Sequence, residues 1–508
     1  MEQKTSSFDR VLGAWDILVI AFGAMIGWGW VVSTGTWIQD GGVLGAAIGF
    51  LIGGVMIFFV GLTYAELTSA MPQCGGEHVF SHRAMGPIGS FICTWAIVLG
   101  YASVVCFEAC ALPTIVTYIF PDFLQGYLYT VAGFKVYASW LAVAIGMSVL
   151  MTYINIRGVK AAAKLQTILT VIIGAAGILL VIVSALTGSV STLEPQAFIP
   201  GDSTTTLKAV LAVTVTTPFY FIGFDVIPQA AEEINIPLKK IGKILILSVV
   251  CAVLFYALVI IAVGLVLTGS EILASESGTG LVTVDAMAKA LSSATMAKVI
   301  IIGGMCGIVT SWNSFLMGGS RALYSMAESY MVPRVFAKLH PKYKTPINAL
   351  YLIGFLSIIA PLAGRKMLVW IVDAGNFGCC LAYCMVALSF LILRKRNLTS
   401  RAPSKSATTR SSASSPSSCP ASWSPSTPSR TPAPPSSGRN GAWQAAGASS
   451  ASSSPSPARG NTRNASASSL TSSPTKTPPP SSRATKKSPW PSTAPSTTPS
   501  TRSSPNAA

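Results

Sequence analysis

Ten apolar runs follow one another between residues 15 and 393, at about 15–37, 43–66, 89–119, 136–156, 165–187, 209–230, 241–268, 297–320, 347–363 and 367–393. Each is close to the ~20 residues a helix needs to cross a hydrocarbon core. A chain with this many such runs cannot bury them as a water-soluble globule. In a bilayer, each run satisfies its backbone as a helix. The composition agrees: of 508 residues, 51% are hydrophobic and only 10% charged, with a mean hydropathy of +0.57. The expectation is an all-α polytopic membrane protein with ten spans. The opening MEQKTSSFDR is not followed by a short apolar core and a small-residue cleavage site, so the first run is read as a retained span.

Basic residues near span ends are kept on the cytoplasmic side. With the N-terminus inside, 17 of the 23 Lys and Arg residues of 1–398 fall in cytoplasmic segments, Arg321 counted among them. Both termini are then cytoplasmic and the membrane is the plasma membrane. The ten cysteines include Cys379 and Cys380 side by side and show neither zinc-site nor CxxC spacing, so they read as small core residues. From residue 397 the composition changes to Ser, Pro and Thr. The last 110 residues contain no Asp or Glu and carry +12 of the net charge of +17. The basic excess therefore belongs to a segment unable to build a core and gives no reason to invoke nucleic acid. The division is 1–14 cytoplasmic, 15–396 membrane domain and 397–508 disordered tail.

Two runs carry interruptions. FGAMIGWGWVVSTG, Phe22 to Gly35, holds four glycines, and the sixth run, within VTVTTPFYFIGFDVIPQAAEEINIP, holds Pro218, Gly223, Pro228 and an intramembrane Asp225. Glycine four apart, as at Gly23 and Gly27, also serves close helix packing. Two interruptions five runs apart favour a binding site instead. Paired broken helices expose N–H groups and carbonyls where they line a cavity, and a free half-helix N-terminus attracts an anion.

The stretches GAMIGWG with GGVLGAAIGF after it, AELTSAMPQCGGEHVFSHRAMG, FYFIGFDVIPQAAEEINIP and SRALYSMAESYMVPRVFAKLHPKYKTPINAL resemble, in order over residues 8–396, the motifs of the amino acid/polyamine/organocation (APC) superfamily of transporters. The resemblance implies a LeuT-type 5+5 inverted repeat, here about 15–187 and 209–393, with helices 1 and 6 broken around the substrate. It implies that Gly23, Ile26, Gly27, Trp28 and Gly29 form the site on helix 1, with the 27–29 amides receiving a carboxylate or other polar head. Phe219, Tyr220, Ile222, Gly223 and Phe224 form it on helix 6, with carbonyls for an amine and Phe219 or Phe224 as an aromatic lid. Trp28 stands where the family has Thr or Ser, which tightens or displaces the pocket floor. Ile173 stands where several relatives carry a lysine used in proton coupling, so coupling through that position is not expected.

Ionisable groups inside spans point to function. Glu108, near the middle of the third run, is expected to contact a cationic part of the substrate or exchange a proton; the alternative is a protonated, interhelical structural Glu. Asp225 is expected to link helix 6 to the gating helices, or to stitch the break together. Asp373 is assigned to the extracellular gate, and Asp16 and Glu66 to interfacial positions or ion pairs. Thr310 and Ser311 lie where sodium-coupled relatives place hydroxyl ligands, although such hydroxyls usually bond their own helix. His78, His82 and His340 show no metal-ligand spacing.

The expected function is secondary active transport of an amino acid or related small amine by alternating access, with H+ or Na+ as possible coupling ion and no cofactor. No GxxxxGK[ST] loop is present to bind ATP, and no HExxH, GxSxG or paired intramembrane aspartates suggest an enzyme. The alternatives are an ethanolamine or polyamine permease, favoured by Glu108 and Asp225 together, and a transport-fold amine sensor without net flux. The tail raises a separate expectation. The family has two helices after the tenth, and read one base out of register every TCN serine codon becomes Phe, Leu, Ile or Val. Residues after about Lys395 are therefore expected to be out of frame, with helices 11 and 12 lost.

Overall fold

The computed structural model describes residues 8–131, 134–278 and 280–396, side chains at 121 and 365–373 excepted. The first run is not one helix. α1 (Ala14–Met25) ends at Ile26, and the chain resumes as α2 (Gly29–Val32) and α3 (Thr34–Gly41). Among the described residues Asp16 meets no loop base; it accepts the Gly13 N–H at 2.9 Å and caps α1. α4 (Val43–Ala70) and α5 (Glu77–Ile119) follow. α5 is bent at Gly86, whose φ of 79° only glycine adopts without strain, and Pro87 starts the second part, where its missing N–H costs nothing.

Between α5 and α6 (Ala138–Ile156) the all-α expectation fails locally. β1 (Tyr127–Val131) and β2 (Phe134–Tyr137) pair antiparallel. The aromatic and β-branched residues of YLYTV and FKVY favour strands; they fall between the third and fourth apolar runs, except for Val136 and Tyr137 at the start of the fourth. α7 (Val159–Thr187) and the short α8 (Val190–Leu193) lead to the sixth run, split into α9 (Ser203–Tyr220) and α10 (Val226–Gln229). Asp202 caps α9 by accepting the Thr205 N–H at 2.9 Å. α11 (Leu238–Val266) is followed by α12 (Gly269–Ser277) and α13 (Val282–Ala290), then by α14 (Ala294–Glu328), α15 (Ile347–Ile359) and α16 (Gly364–Lys395).

Among the described residues, seven helices are long and apolar enough to cross a membrane: α4, α5, α6, α7, α11, α14 and the 374–395 part of α16. The other three runs are the two that break and the short α15, so ten runs do not make ten continuous spans. α14 is the most enclosed of the seven and packs on α1, α5 and α7, while α11 packs on α1, α4 and α7. Side chains such as Val55, Met56, Phe59, Ile178, Ile182, Leu254 and Leu258 face outward, the apolar exterior a lipid-facing bundle needs.

The enclosed position of α14 explains a misplacement. Arg321 is not in a loop: it lies inside α14 and is buried, paired with Glu233 at 3.0 Å, its guanidinium also donating to Met317 O at 3.3 Å and Ser320 Oγ at 2.9 Å. Removing the cation strands a buried carboxylate, so Arg321→Met should lower stability by about 3–5 kcal/mol. Arg321→Met combined with Glu233→Leu should recover much of that in denaturant unfolding of the purified protein. An unchanged single variant would mean that the pair is not buried in solution. Glu66 meets Arg394 at 2.5 Å, the ion pair its position suggested. The nine described cysteines form no disulfide with one another. Most are buried, but Cys380 and Cys384 are exposed on α16 and are not core residues.

Candidate functional site

Both breaks leave backbone groups unused. Among the described residues, the Gly27 and Trp28 N–H groups meet no backbone acceptor, and the carbonyls of Tyr220, Phe221 and Ile222 accept no backbone N–H. Buried polar backbone without a partner is costly unless a ligand or water supplies one. Between the breaks lies a cavity of about 190 Å³. α1, α5, α9, α11 and α14 supply its walls: Met25, Phe107, Phe219, Tyr256 and Phe315 make it apolar, and Gly27, Trp28 and Gly29 reach it from the first break.

One carboxyl enters this space. Glu108 is 4% exposed, and its Oε2 is buried with no hydrogen-bond partner. A Cβ built on Gly27 would stand 3.5 Å from Glu108 Oε1 and 3.8 Å from Ser311 Oγ, so the glycine holds the floor open between them. Among the described residues no Lys or Arg lines the cavity. A buried carboxyl in an apolar chamber without a protein cation either carries a proton or waits for a cationic ligand.

The helix packing that permits the break was not legible from the motifs. A Cβ on Gly307 of α14 would meet the Ile26 carbonyl at 2.9 Å, so that residue lets the broken backbone lie directly on α14. Gly304, one turn earlier, accepts the Trp28 ring, which answers the expected crowding at Trp28: the partner helix gives way. Tyr256 of α11 donates to Met25 O at 2.9 Å and lines the cavity as well. These three were missed because their partners are distant in sequence. Small residues in an apolar helix were the only available signal.

The expected site residues divide. Gly27, Trp28, Gly29, Glu108, Phe219, Tyr220 and Ile222 line the cavity; Gly23, Ile26, Gly223 and Phe224 do not. A Cβ on Gly23 would come within 2.6 Å of Thr170 Oγ1, so Gly23 serves packing on α7, and Ile26 is buried against α14. Gly223, at φ 136°, brings the second break onto the first, its would-be Cβ 2.6 Å from that of Ala24. Phe224 packs against Tyr64 and Tyr383, ring centroids 5.3 and 5.4 Å away, so of the two expected lid residues Phe219 is the one that lines the cavity.

Asp225 is buried outside the cavity. It accepts the Gly223 N–H at 2.8 Å and the Tyr383 hydroxyl at 3.0 Å, and Tyr101 also donates to it, so one carboxyl ties the second break to α5 and α16. Thr310 donates to Gly307 O at 2.9 Å, bonding its own helix, while Ser311 faces the cavity. The Ile173 side chain is buried and apolar. His78 is bonded to Ser90 at 3.0 Å and Ser329 at 2.8 Å. Asp373 lies outside the residues whose side chains are described. Among the described residues no cluster of His, Cys, Asp and Glu is arranged to hold a metal.

An apolar helical body with a solute-sized cavity at two helix breaks defines a multi-pass membrane protein that handles a small molecule. Residues 16–413 match the amino acid permease family, and the chain belongs to that family. It is 29% identical over 405 residues to the methylthioribose transporter of Bacillus subtilis, covering 78% of this chain and 84% of that protein. It is 28% identical to the branched-chain amino acid permease of the same organism, over 77% of this chain and 82% of the relative. The lysine-specific permease of Escherichia coli is 25% identical, with 76% and 78% covered. These relatives are transporters of amino acids or related compounds, and the chain is a transporter of that kind rather than an enzyme.

Proposed function

We propose that the chain is a secondary active transporter that moves an amino acid or related small amine across the plasma membrane by alternating access, both termini being cytoplasmic. The membrane domain spans 15–396, two five-helix halves of LeuT type at about 15–187 and 209–393. The single observation that carries this reading is that one cavity is lined both by Gly27 and Trp28, whose amides meet no backbone acceptor and could receive a carboxylate, and by Tyr220 and Ile222, whose carbonyls accept no backbone N–H and could receive an ammonium. Phe219 closes over the ligand. Coupling is to H+ or Na+.

The test is uptake into proteoliposomes after a thermal-shift panel of zwitterionic amino acids and simple amines. Stabilisation with net flux supports transport; ligand binding without flux turns the reading into a sensor. A second reading, an ethanolamine or polyamine permease, is favoured by one feature: the lone cavity carboxyl Glu108 with no basic residue beside it. Stabilisation by amines alone decides for it.

Asp225 is the gating residue of this scheme. Asp225→Asn keeps the shape but replaces one acceptor oxygen with a donor amide and so disturbs the three hydrogen bonds it accepts; transport should slow about tenfold or more with little change in ligand affinity. Equal loss of rate and affinity would put Asp225 in the binding site instead.

The tail reading concerns 397–508. The abrupt change of composition after the last span supports a shifted reading frame with helices 11 and 12 encoded in the other register. Resequencing source DNA across the Lys395 codon tests it, and an intact frame makes the tail genuine.

A further inference from the structure

A second carboxyl lies buried outside the cavity, and the transport site does not use it. Glu77, the first residue of α5, is fully buried, and its Oε2 accepts the side-chain amide of Gln229 at the end of α10. Its other oxygen, Glu77 Oε1, has no partner; neither has Gln229 Oε1, nor the Tyr64 hydroxyl, all three buried. The loop before α5 seals this pocket against α10. The Gly75 N–H donates to Gln229 O at 3.2 Å, and a Cβ on Gly76 would stand 2.7 Å from Pro228 Cβ.

The groups around Glu77 are Tyr64 from α4, Cys93, Tyr101 and His78 from α5, Asp225 and Gln229 of the second break, and Tyr383 and Cys379 from α16. None of these is a Lys or Arg. The buried Arg321 is engaged by Glu233, and Arg394 by Glu66. The neighbouring Asp225 differs in kind, because three donors reach it. Glu77 has only neutral groups to donate to it, the Gln229 amide and the nearby Tyr64 hydroxyl. A buried carboxylate with only neutral donors beside it and no cation carries a large desolvation cost. One proton on the Glu77 carboxyl removes that charge and gives its unpartnered oxygen a hydrogen to donate.

We propose that Glu77 is a proton-binding site of the transport cycle, which holds a proton while the 71–76 loop lies on the 226–229 segment and releases it when the two part. On release the carboxyl O–H bond breaks, its electron pair stays on the carboxylate, and a water molecule takes the proton as hydronium; resealing reverses the step. The role in the cycle rests on the alternating-access reading above. The protonation itself does not, so the two can fail separately.

The experiment is infrared absorption of the purified full-length protein in lipid, with glutamate labelled by heavy carbon so that Glu and Asp carboxyls are resolved, followed across neutral pH without any substrate. Wild type should show the carbonyl stretch of a protonated, labelled carboxyl, and E77Q should lose one group's intensity from it. E77D should move that intensity to the unlabelled aspartate band, which keeps the test open if E77Q does not fold. A wild-type-like band in E77Q, or no gain at the aspartate position in E77D, overturns the proposal. So does a thermal shift by sodium chloride over choline chloride that is present in wild type and lost in E77Q, because the orphan oxygens would then belong to a metal cation.

Discussion

Gly27→Val should abolish ligand binding in the thermal-shift panel while leaving expression, helix content and the unliganded melting behaviour close to wild type. The two halves of that outcome have separate causes. The backbone at Gly27 does not require glycine for its conformation, and a Cβ there would be in ordinary contact, 3.5 Å from Glu108 Oε1 and 3.8 Å from Ser311 Cβ. The fold therefore tolerates the branch point. The two methyl groups beyond it have nowhere to go but the space between Glu108 and Ser311, which is the floor of the cavity. Gly307→Val is the contrasting control. Its Cβ would strike the Ile26 carbonyl at 2.9 Å, so it should damage folding as well as binding, with overpacking costs of about 1–3 kcal/mol or more. Wild-type affinity in Gly27→Val would sink the placement of the substrate at this break.

Glu108→Gln should weaken binding of cationic members of the panel by about tenfold to a hundredfold, the worth of a charge-assisted hydrogen bond of roughly 1.5–3 kcal/mol. Neutral zwitterions should change by much less, because the amide keeps the volume and one acceptor oxygen. Glu108 lines a chamber that has no basic side chain among the described residues, and its Oε2 is buried without a partner. If Glu108 instead exchanges a proton during transport, the same variant should flatten the pH dependence of uptake while sparing affinity. An unchanged affinity profile together with an unchanged pH profile would make Glu108 structural, the alternative its sequence position left open.

Much of this organisation could be read from local chemistry. Ten apolar runs marked the helices, glycine and proline marked the two runs that do not continue as single helices, and an isolated carboxyl in an apolar stretch marked Glu108. Each of these is a property of a short segment in a bilayer, where an unpaired backbone or a buried charge is too costly to occur without a reason. The β1–β2 hairpin escaped because its short aromatic segments lie between the runs. Arg321 was misplaced because a basic residue near a span end is ordinarily at the interface, and only Glu233, 88 residues away, makes its burial possible.

The sequence by itself determined that this chain is a helical membrane protein, where its helices break, and which family its motifs resemble. The tertiary structure alone decided which break residues face the cavity. Gly23 and Gly27 are four residues apart, one inside α1 and the other in the break after it; Gly23 packs on Thr170 and Gly27 opens toward Glu108. It also separated Phe219 from Phe224, and gave Gly304, Gly307 and Tyr256 their roles. The reason is geometric: periodicity ranks positions within one helix, but a cavity is bounded by several helices at once. What a residue faces is set by partners that lie, in the case of Gly27 and Ser311, more than half of the membrane domain apart along the chain.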